Sequence, residues 1–170
     1  MVYPIVKYPD SILNRPAAEV AEFNTPELRR LIDDMFESMY AASGVGLAAP
    51  QIGIGRRIAV IDCSAGADAA QQLVIINPKI VRGDGRDEAE EGCLSVPGFR
   101  ANVVRAATVT ARAQDVEGNW REIEGKELLA RALQHEIDHL DGILFLAHLT
   151  TLKRDMIKRK IRKLQKTDEW

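Results

Sequence analysis

The chain of 170 residues lacks most of the features that mark secreted, membrane or nucleic-acid-binding proteins. It has only two cysteines, Cys63 and Cys93, too few for a disulfide framework, so we expect reduced thiols and a cytoplasmic protein. No apolar run approaches roughly 18 residues, and no basic segment followed by an apolar core opens the chain, so neither a membrane span nor a secretory signal is expected. The net charge of −2 predicts no bulk affinity for DNA or an anionic membrane.

Aromatic residues make up only 5% of the chain, but its 46% hydrophobic and 28% charged content is ordinary for a globular protein. Internal repeats and low-complexity tracts are missing, which excludes solenoid and array architectures. At this length we expect a single domain over residues 1–170, long enough to bury a sizeable core, and a monomer.

Histidine is scarce as well, and two of the three histidines lie in one motif, Gln134-His135-Glu136-Ile137-Asp138-His139. Apolar residues recur at three- and four-residue intervals around it, which predicts a helix. On a helix, His135 and His139 lie on one face, so both imidazoles can bind one metal ion. Glu136 is offset by one position and stays free to act as a base towards water that the metal activates. A structural histidine pair is the alternative interpretation.

A third ligand is available in the segment Glu90–Gly98, where Cys93 follows a flexible glycine. A thiolate suits a borderline-soft divalent metal, and three protein ligands leave the open position typical of a catalytic site. Few residues remain to close the site, apart from Cys63, His148 and carboxylates. The alternative is a buried core cysteine, which is our interpretation of Cys63.

The small, almost uncharged segment Gly44–Gly53 predicts a tight strand and turn. Glycines at 44 and 46 let another backbone approach closely, including that of a bound peptide. Gln51 has the only hydrogen-bonding side chain between Gly44 and Gly55, which makes it a candidate donor to a developing oxyanion.

The remaining pattern predicts an α+β fold, with antiparallel β-sheets packed around a central helix that carries the histidine motif. A second helix should lie in the N-terminal half, starting at Thr25-Pro26-Glu27 and ending near residues 42–44. Residues 1–24 predict an extended arm with a short helical turn near 10–14. Strands are expected at residues 57–63, 73–81, 103–116 and 120–123, with a polar turn at 83–87 and a hairpin turn at 117–119.

Three segments, taken in order, resemble the three motifs of bacterial peptide deformylases: Gly44–Gly53, Glu91–Pro97 and Gln134–Leu140. The resemblance implies a hydrolase that removes the formyl group from N-formylmethionine at the start of new polypeptides. It implies that Cys93, His135 and His139 bind one divalent ion, Fe(II) in the cell, with Zn, Ni and Co as other ions that the site can take.

The same resemblance assigns further roles. Glu136 would be the general base and acid, and Gln51 with the backbone N–H of Leu94 would hold the oxyanion. Arg131 stands where the family's methionine pocket would have a plain aliphatic wall, so we expect its stem to line the pocket while its guanidinium reaches water. Contacts to the substrate would come from Val45, Gly46, Gly92, Leu128 and Arg100, the last with a surface cation as its alternative.

The C-terminal segment concentrates positive charge. Between Lys153 and Lys166 there are eight basic residues and one acid, a net charge of +7 that leaves −9 for the rest of the chain. An apolar stripe predicts a helix over 151–166, docked on the body with its charge outward and composed of Leu152, Met156, Ile157, Ile161 and Leu164.

A phosphate-rich surface suits this basic helix, and ribosomal RNA near the exit of nascent chains is the natural candidate. A solvated face without a partner is the alternative. For the whole protein, the alternative function is a catalytically inactive relative that binds formylated chain starts or ribosomes. The presence of ligands, base and oxyanion donors argues against it.

Overall fold

The computed structural model describes all 170 residues as three α-helices and seven β-strands. The helices are α1 (Pro26–Ala41), α2 (Glu127–Leu140) and α3 (Thr151–Lys166). The strands are β1 (Gly46–Ala48), β2 (Ile58–Ile61), β3 (Leu73–Asp84), β4 (Asp87–Gly92), β5 (Arg100–Arg105), β6 (Thr108–Gln114) and β7 (Trp120–Lys126). None of the three helices has the length and apolar character that crossing a bilayer requires.

The strands form two antiparallel sheets, one of five strands in the order β1-β2-β3-β6-β7 and one of β4 with β5. The larger sheet lies between α1 and α2, which explains why β2 is apolar at every position. Ile58 and Val60 pack with the α1 cluster, and Ala59 and Ile61 pack with the α2 cluster. This arrangement confirms the α+β fold around the helix that carries the histidine motif.

Helices α1 and α3 each begin at a capping residue, as the sequence indicates. The Thr25 hydroxyl accepts a hydrogen bond from the Leu28 N–H at 3.1 Å, and Pro26 occupies the first turn of α1. The Thr150 hydroxyl accepts from the Lys153 N–H at 3.2 Å at the start of α3. These bonds satisfy backbone donors that a helix start leaves without a partner.

The expectation of one strand over residues 103–116 was wrong. The chain leaves the small sheet after Arg105 and enters the large sheet at Thr108. At this break the Gln134 amide of α2 pairs with the backbone of Ala106, accepting from its N–H and donating to its carbonyl, each at 3.0 Å. The side chain takes the place of a neighbouring strand, which allows the chain to change sheets there.

The apolar stripe of α3 docks only in part. Ile157 and Ile161 are buried against Phe145 and Val103, as expected. Leu152 is 74% exposed and Met156 38% exposed, so the prediction that they dock was wrong. Successive residues are about 100° apart on a helix, so the residues aligned with Ile157 face the body and their neighbours face away.

Candidate metal centre and active site

Two turns of α2 and the loop after β4 bring three metal-ligating side chains together. The Cys93 Sγ lies 3.3 Å from the Nε2 of His139, which lies 3.1 Å from the Nε2 of His135. The three ligand atoms all lie within 4.8 Å of one another. A thiolate with two imidazoles is a donor set that a borderline-soft divalent ion prefers, so these residues fit a metal.

The other residues considered as ligands lie elsewhere. Cys63 is not part of the group. His148 Nε2 forms a hydrogen bond with the Asp138 carboxylate at 2.8 Å instead. The protein therefore gathers three ligands and not four, which leaves a coordination position for water or substrate.

A buried carboxylate orients the first histidine of α2. Glu91, the fifth residue of β4, accepts from the Nδ1 of His135 at 2.6 Å. Arg105 donates to both oxygens of Glu91, at 2.7 and 2.8 Å. Burial alone would raise the pKa of Glu91, but the hydrogen bonds from Arg105 and His135 outweigh it and hold the pKa well below its usual range. A carboxylate on Nδ1 leaves Nε2 free to bind the metal.

The carboxylate of Glu136 is enclosed beside the ligands. Its Oε2 is buried and has no hydrogen-bond partner. Burial raises the pKa of Glu136 to about 7, close to the value that a general base and acid needs at neutral pH. Gly46 of β1 makes room for it, because a Cβ there would lie 2.6 Å from the Glu136 Oε1.

The Gln51 amide is fixed in one orientation. Its Oε1 accepts from the Ala48 N–H at 2.9 Å, so its NH₂ group points to the other side. There Nε2 donates to the Ser95 hydroxyl at 3.1 Å and approaches the Cys93 sulfur at 3.6 Å. This places an amide donor beside the ligand group. Leu94, the residue after Cys93, uses its N–H in no backbone hydrogen bond of the loop.

A cleft of about 630 Å³ connects these residues with the surface. Every predicted site residue lines it except His139, which lies behind the cleft and is 1% exposed. β1 is the edge strand of the large sheet, and Val45 and Gly46 are at the cleft. Arg100 is exposed and pairs with Glu90 at 2.8 Å.

A larger cavity of about 800 Å³ lies against another face of α2, lined by Gln134, Ile137, Asp138 and Asp141. The metal-ligating group is not part of its lining. The smaller cleft is therefore the candidate active site.

The guanidinium of Arg131 does not reach water, so that expectation was wrong. Arg131 is only 8% exposed, and its NH1 donates to the Glu91 Oε1 at 2.9 Å. The structure also shows roles for Glu91, Arg105 and Ser95 that the sequence reasoning did not assign. The one available signal was the position of Glu91 and Ser95 inside the motif that contains Cys93.

Comparison with known proteins gives a consistent result. The model of the polypeptide deformylase family matches residues 2–155 of this chain. The peptide deformylase of Acidobacterium capsulatum is 58% identical over 170 residues, covering 100% of this chain and 99% of the relative. That of Thermodesulfovibrio yellowstonii is 45% identical over 161 residues, covering 95% of this chain and 97% of the relative.

Solved structures agree with these relatives. A crystal structure of a peptide deformylase from Legionella pneumophila superimposes with a TM-score of 0.91 at 49% identity, covering 99% of this chain and 98% of that one. The peptide deformylase from Thermus thermophilus gives a TM-score of 0.88 at 43% identity, with 96% and 95% covered.

Proposed function

The chain belongs to the polypeptide deformylase family, and from this premise we propose that its cleft removes the formyl group from formylmethionine at the start of new polypeptides, using Cys93, His135 and His139 as the ligands of one divalent ion. One observation supports the ligand assignment above the others. The three ligand atoms lie within 4.8 Å of one another beside a buried, unpaired carboxylate oxygen of Glu136.

In this proposal the reaction is the hydrolysis of the formamide bond. When bound, a divalent ion supplies the positive charge that makes water acidic enough to react at neutral pH. Glu136 takes the proton from the attacking water and returns it to the leaving amine. The Gln51 amide and the Leu94 N–H donate to the oxygen that becomes negative, each worth roughly 3–4 kcal/mol in the transition state.

The substrate backbone binds along the free edge of β1. Edge strands present unpaired N–H and C=O groups that an extended peptide can use. Val45 and Gly46 would pair with the peptide, and Gly92, Leu128 and Arg100 would line its path. No observation favours the alternative of a catalytically inactive relative.

Formate release from a formyl-Met dipeptide tests the activity. Protein loaded with Fe(II), Ni(II), Co(II) or Zn(II) under anaerobic conditions should release formate in proportion to its metal content. Absence of release with every ion would refute the proposed function. Cleavage of an internal amide bond in an unformylated peptide is not expected.

We propose Fe(II) as the ion in the cell, with Zn, Ni and Co as replacements. Zn binds nitrogen and sulfur sites more tightly than Fe(II), so Zn in purified protein would be weak evidence about the cellular ion. Metal analysis of protein purified rapidly without oxygen, together with its turnover, tests this. Turnover that follows zinc content instead of iron content would contradict it.

We propose that the enzyme acts as a monomer, because the residues of one chain complete the cleft, and that it acts in the cytoplasm, as its two free thiols indicate. Analytical ultracentrifugation of the loaded enzyme measures the oligomeric state. A dimer at micromolar concentration would contradict this part of the proposal.

We also propose that α3 docks on ribosomal RNA. None of its eight basic residues forms a salt bridge within the protein. The exposed Met156 lies in a groove among five of them, namely Arg159, Lys160, Arg162, Lys163 and Lys166. The family match ends at residue 155, so most of this helix lies beyond it.

Co-sedimentation with ribosomes over a range of salt concentrations tests this docking. Replacing Arg159, Lys163 and Lys166 with Gln should weaken binding. The slope of the logarithm of the binding constant against the logarithm of the salt concentration should fall in magnitude by about one for each lost phosphate contact. The control replaces three exposed cations elsewhere, Arg30, Lys79 and Arg86, with Gln. Equal binding by the two triple variants would contradict the proposal.

A further inference from the structure

Arg131 is a buried cation at the wall of the cleft, and its guanidinium is anchored at both ends. NH1 donates to the Glu91 Oε1 at 2.9 Å and to the Val103 carbonyl at 3.1 Å. NH2 donates to the carbonyl and to the carboxylate of Asp87, each at 3.0 Å. A planar fork with four such bonds has one orientation, unlike an aliphatic side chain, which can change rotamer.

The sequence of β4 provides the space for this side chain. Alternate residues of a strand share a face, so Asp87, Ala89 and Glu91 point the same way. Arg131 bonds to the first and the third of these, and Ala89 lies between them on the strand. The methyl group of Ala89 is small, so it leaves room for the guanidinium.

The same arginine lines the cleft between the rim and the metal ligands. Leu128, Arg131, Ala132 and His135 lie on one face of α2 and all line the cleft. Leu128 is 48% exposed at the rim, and Ala132 is short. Arg131 is thus the longest side chain of this wall, and four hydrogen bonds to β4 and β5 fix its guanidinium.

We propose that Arg131 determines specificity by setting the length of the side chain that the cleft accepts at the first residue of the substrate. This inference rests on the proposed function, with the substrate extended along β1. A wall held by four hydrogen bonds does not withdraw when a longer side chain enters. The accepted class is unbranched side chains up to the length of methionine, and longer homologues are rejected.

The test is a series of formyl dipeptides whose first residue is norvaline, norleucine, methionine or one of the next two unbranched homologues of norleucine. For the wild type, kcat/KM should fall by about tenfold or more for each methylene beyond norleucine, as one methylene changes discrimination by 10- to 200-fold. In Arg131→Ala the loss of kcat/KM from norleucine to the longest homologue should become about tenfold smaller. The change should appear in KM and not in kcat.

Two further variants distinguish the effect of the hydrogen bonds that hold Arg131 from the effect of the size of its side chain. Asp87→Ala removes one anchor of Arg131 without removing any side chain that lines the cleft. It should shift the length limit in the same direction by a smaller factor. Glu88→Ala is the matched control, because Glu88 is exposed on the opposite face of β4, and it should leave the length profile unchanged.

Binding of Co(II), followed by the absorption of its thiolate complex, gives a readout that is independent of turnover. An unchanged length profile in Arg131→Ala with wild-type Co(II) binding would overturn the proposal. A uniform loss for all substrates with weaker Co(II) binding would also overturn it, since Arg131 would then only support Glu91. If Arg131→Ala does not fold, Asp87→Ala decides. A wild type that releases no formate from any peptide would refute the proposed function and not this inference.

Discussion

At the scale of single residues, the contact between Gly46 and Glu136 is the most sensitive point of the cleft. A methyl group at position 46 would have to displace the Glu136 carboxylate, because the Cβ would lie 2.6 Å from its Oε1. Gly46→Ala should therefore lower formate release by about 100-fold or more, the usual loss of a general base. Gly55→Ala is the control, since a Cβ there meets nothing within 4 Å. Comparable activity of the two variants would contradict the assigned geometry.

Replacing Glu136 itself tests its role as base. Glu136→Ala should keep its metal content, because Glu136 is not one of the three gathered ligands. Turnover should fall by about 100-fold or more, in line with the usual contribution of acid–base catalysis. Metal analysis beside formate release distinguishes the two effects, with His135→Ala as the variant that should lose metal. Equal metal loss in both variants would show that Glu136 is a ligand.

The ligand residues were predictable because helical spacing alone brings His135 and His139 together. The buried network behind them was not. His135 and Glu91 are 44 positions apart, and Arg105 and Glu91 are 14 apart. Pairs of charged residues at such separations can be identified only when the fold is known. The sequence therefore led to the wrong expectation that the guanidinium of Arg131 is exposed.

At the scale of elements, helices with clear caps were predictable, whereas β4 was not. Its sequence, Asp-Glu-Ala-Glu-Glu-Gly, has neither the branched nor the aromatic residues that favour strands. The strand exists because β5 pairs with all six of its residues and because buried arginines neutralise Glu91. Tertiary contacts here override local propensity.

The turn after β2 depends on the Asp62 carboxylate. Asp62 accepts hydrogen bonds from the Tyr40 hydroxyl at 2.5 Å and from the Ser64 hydroxyl at 2.6 Å, as well as from the Ser64 and Gly66 N–H groups. Burial would raise the pKa of Asp62, but the hydrogen bonds from Ser64 and Tyr40 outweigh it and lower the pKa. The unfolded chain then binds the proton more tightly, so ionised Asp62 stabilises the fold above its unfolded pKa of about 3.9.

Asp62→Asn should therefore be less stable than the wild type at neutral pH. The difference should narrow as the pH falls through about 4 towards the folded pKa, because the wild type loses this contribution there. Urea unfolding at a series of pH values measures it. Asp33→Asn, at an exposed position of α1, is the control and should follow the wild type. A gap that does not change with pH would contradict the role given to the carboxylate.

At the scale of the whole molecule, α3 belongs to the core on one side and carries charge on the other. Ile157 is 3% exposed and Leu152 is 74% exposed. Ile157→Ala should lower the free energy of unfolding by about 2–5 kcal/mol, and Leu152→Ala should change it by less than about 0.5 kcal/mol. Chemical denaturation of both variants measures the difference. Equal effects would show that the helix is not seated as described.

The amphipathic pattern predicted this helix, but not which half of its stripe would dock. The partner surface includes Phe145, Val96 and Val103, which come from three separate segments. Which part of the stripe is buried is decided by this assembled surface, which sequence periodicity does not describe.

The position of Trp170 has a consequence for spectroscopy. Its Nε1 donates to the Tyr8 carbonyl, and its ring lies 6.0 Å from that of Phe99, which lines the cleft. The only other tryptophan, Trp120, is 50% exposed beneath Arg112. In a Trp120→Phe background the protein would carry one indole, placed where the chain beyond α3 meets the cleft. Its emission would then report, without any added label, whether this junction opens when ribosomes are added.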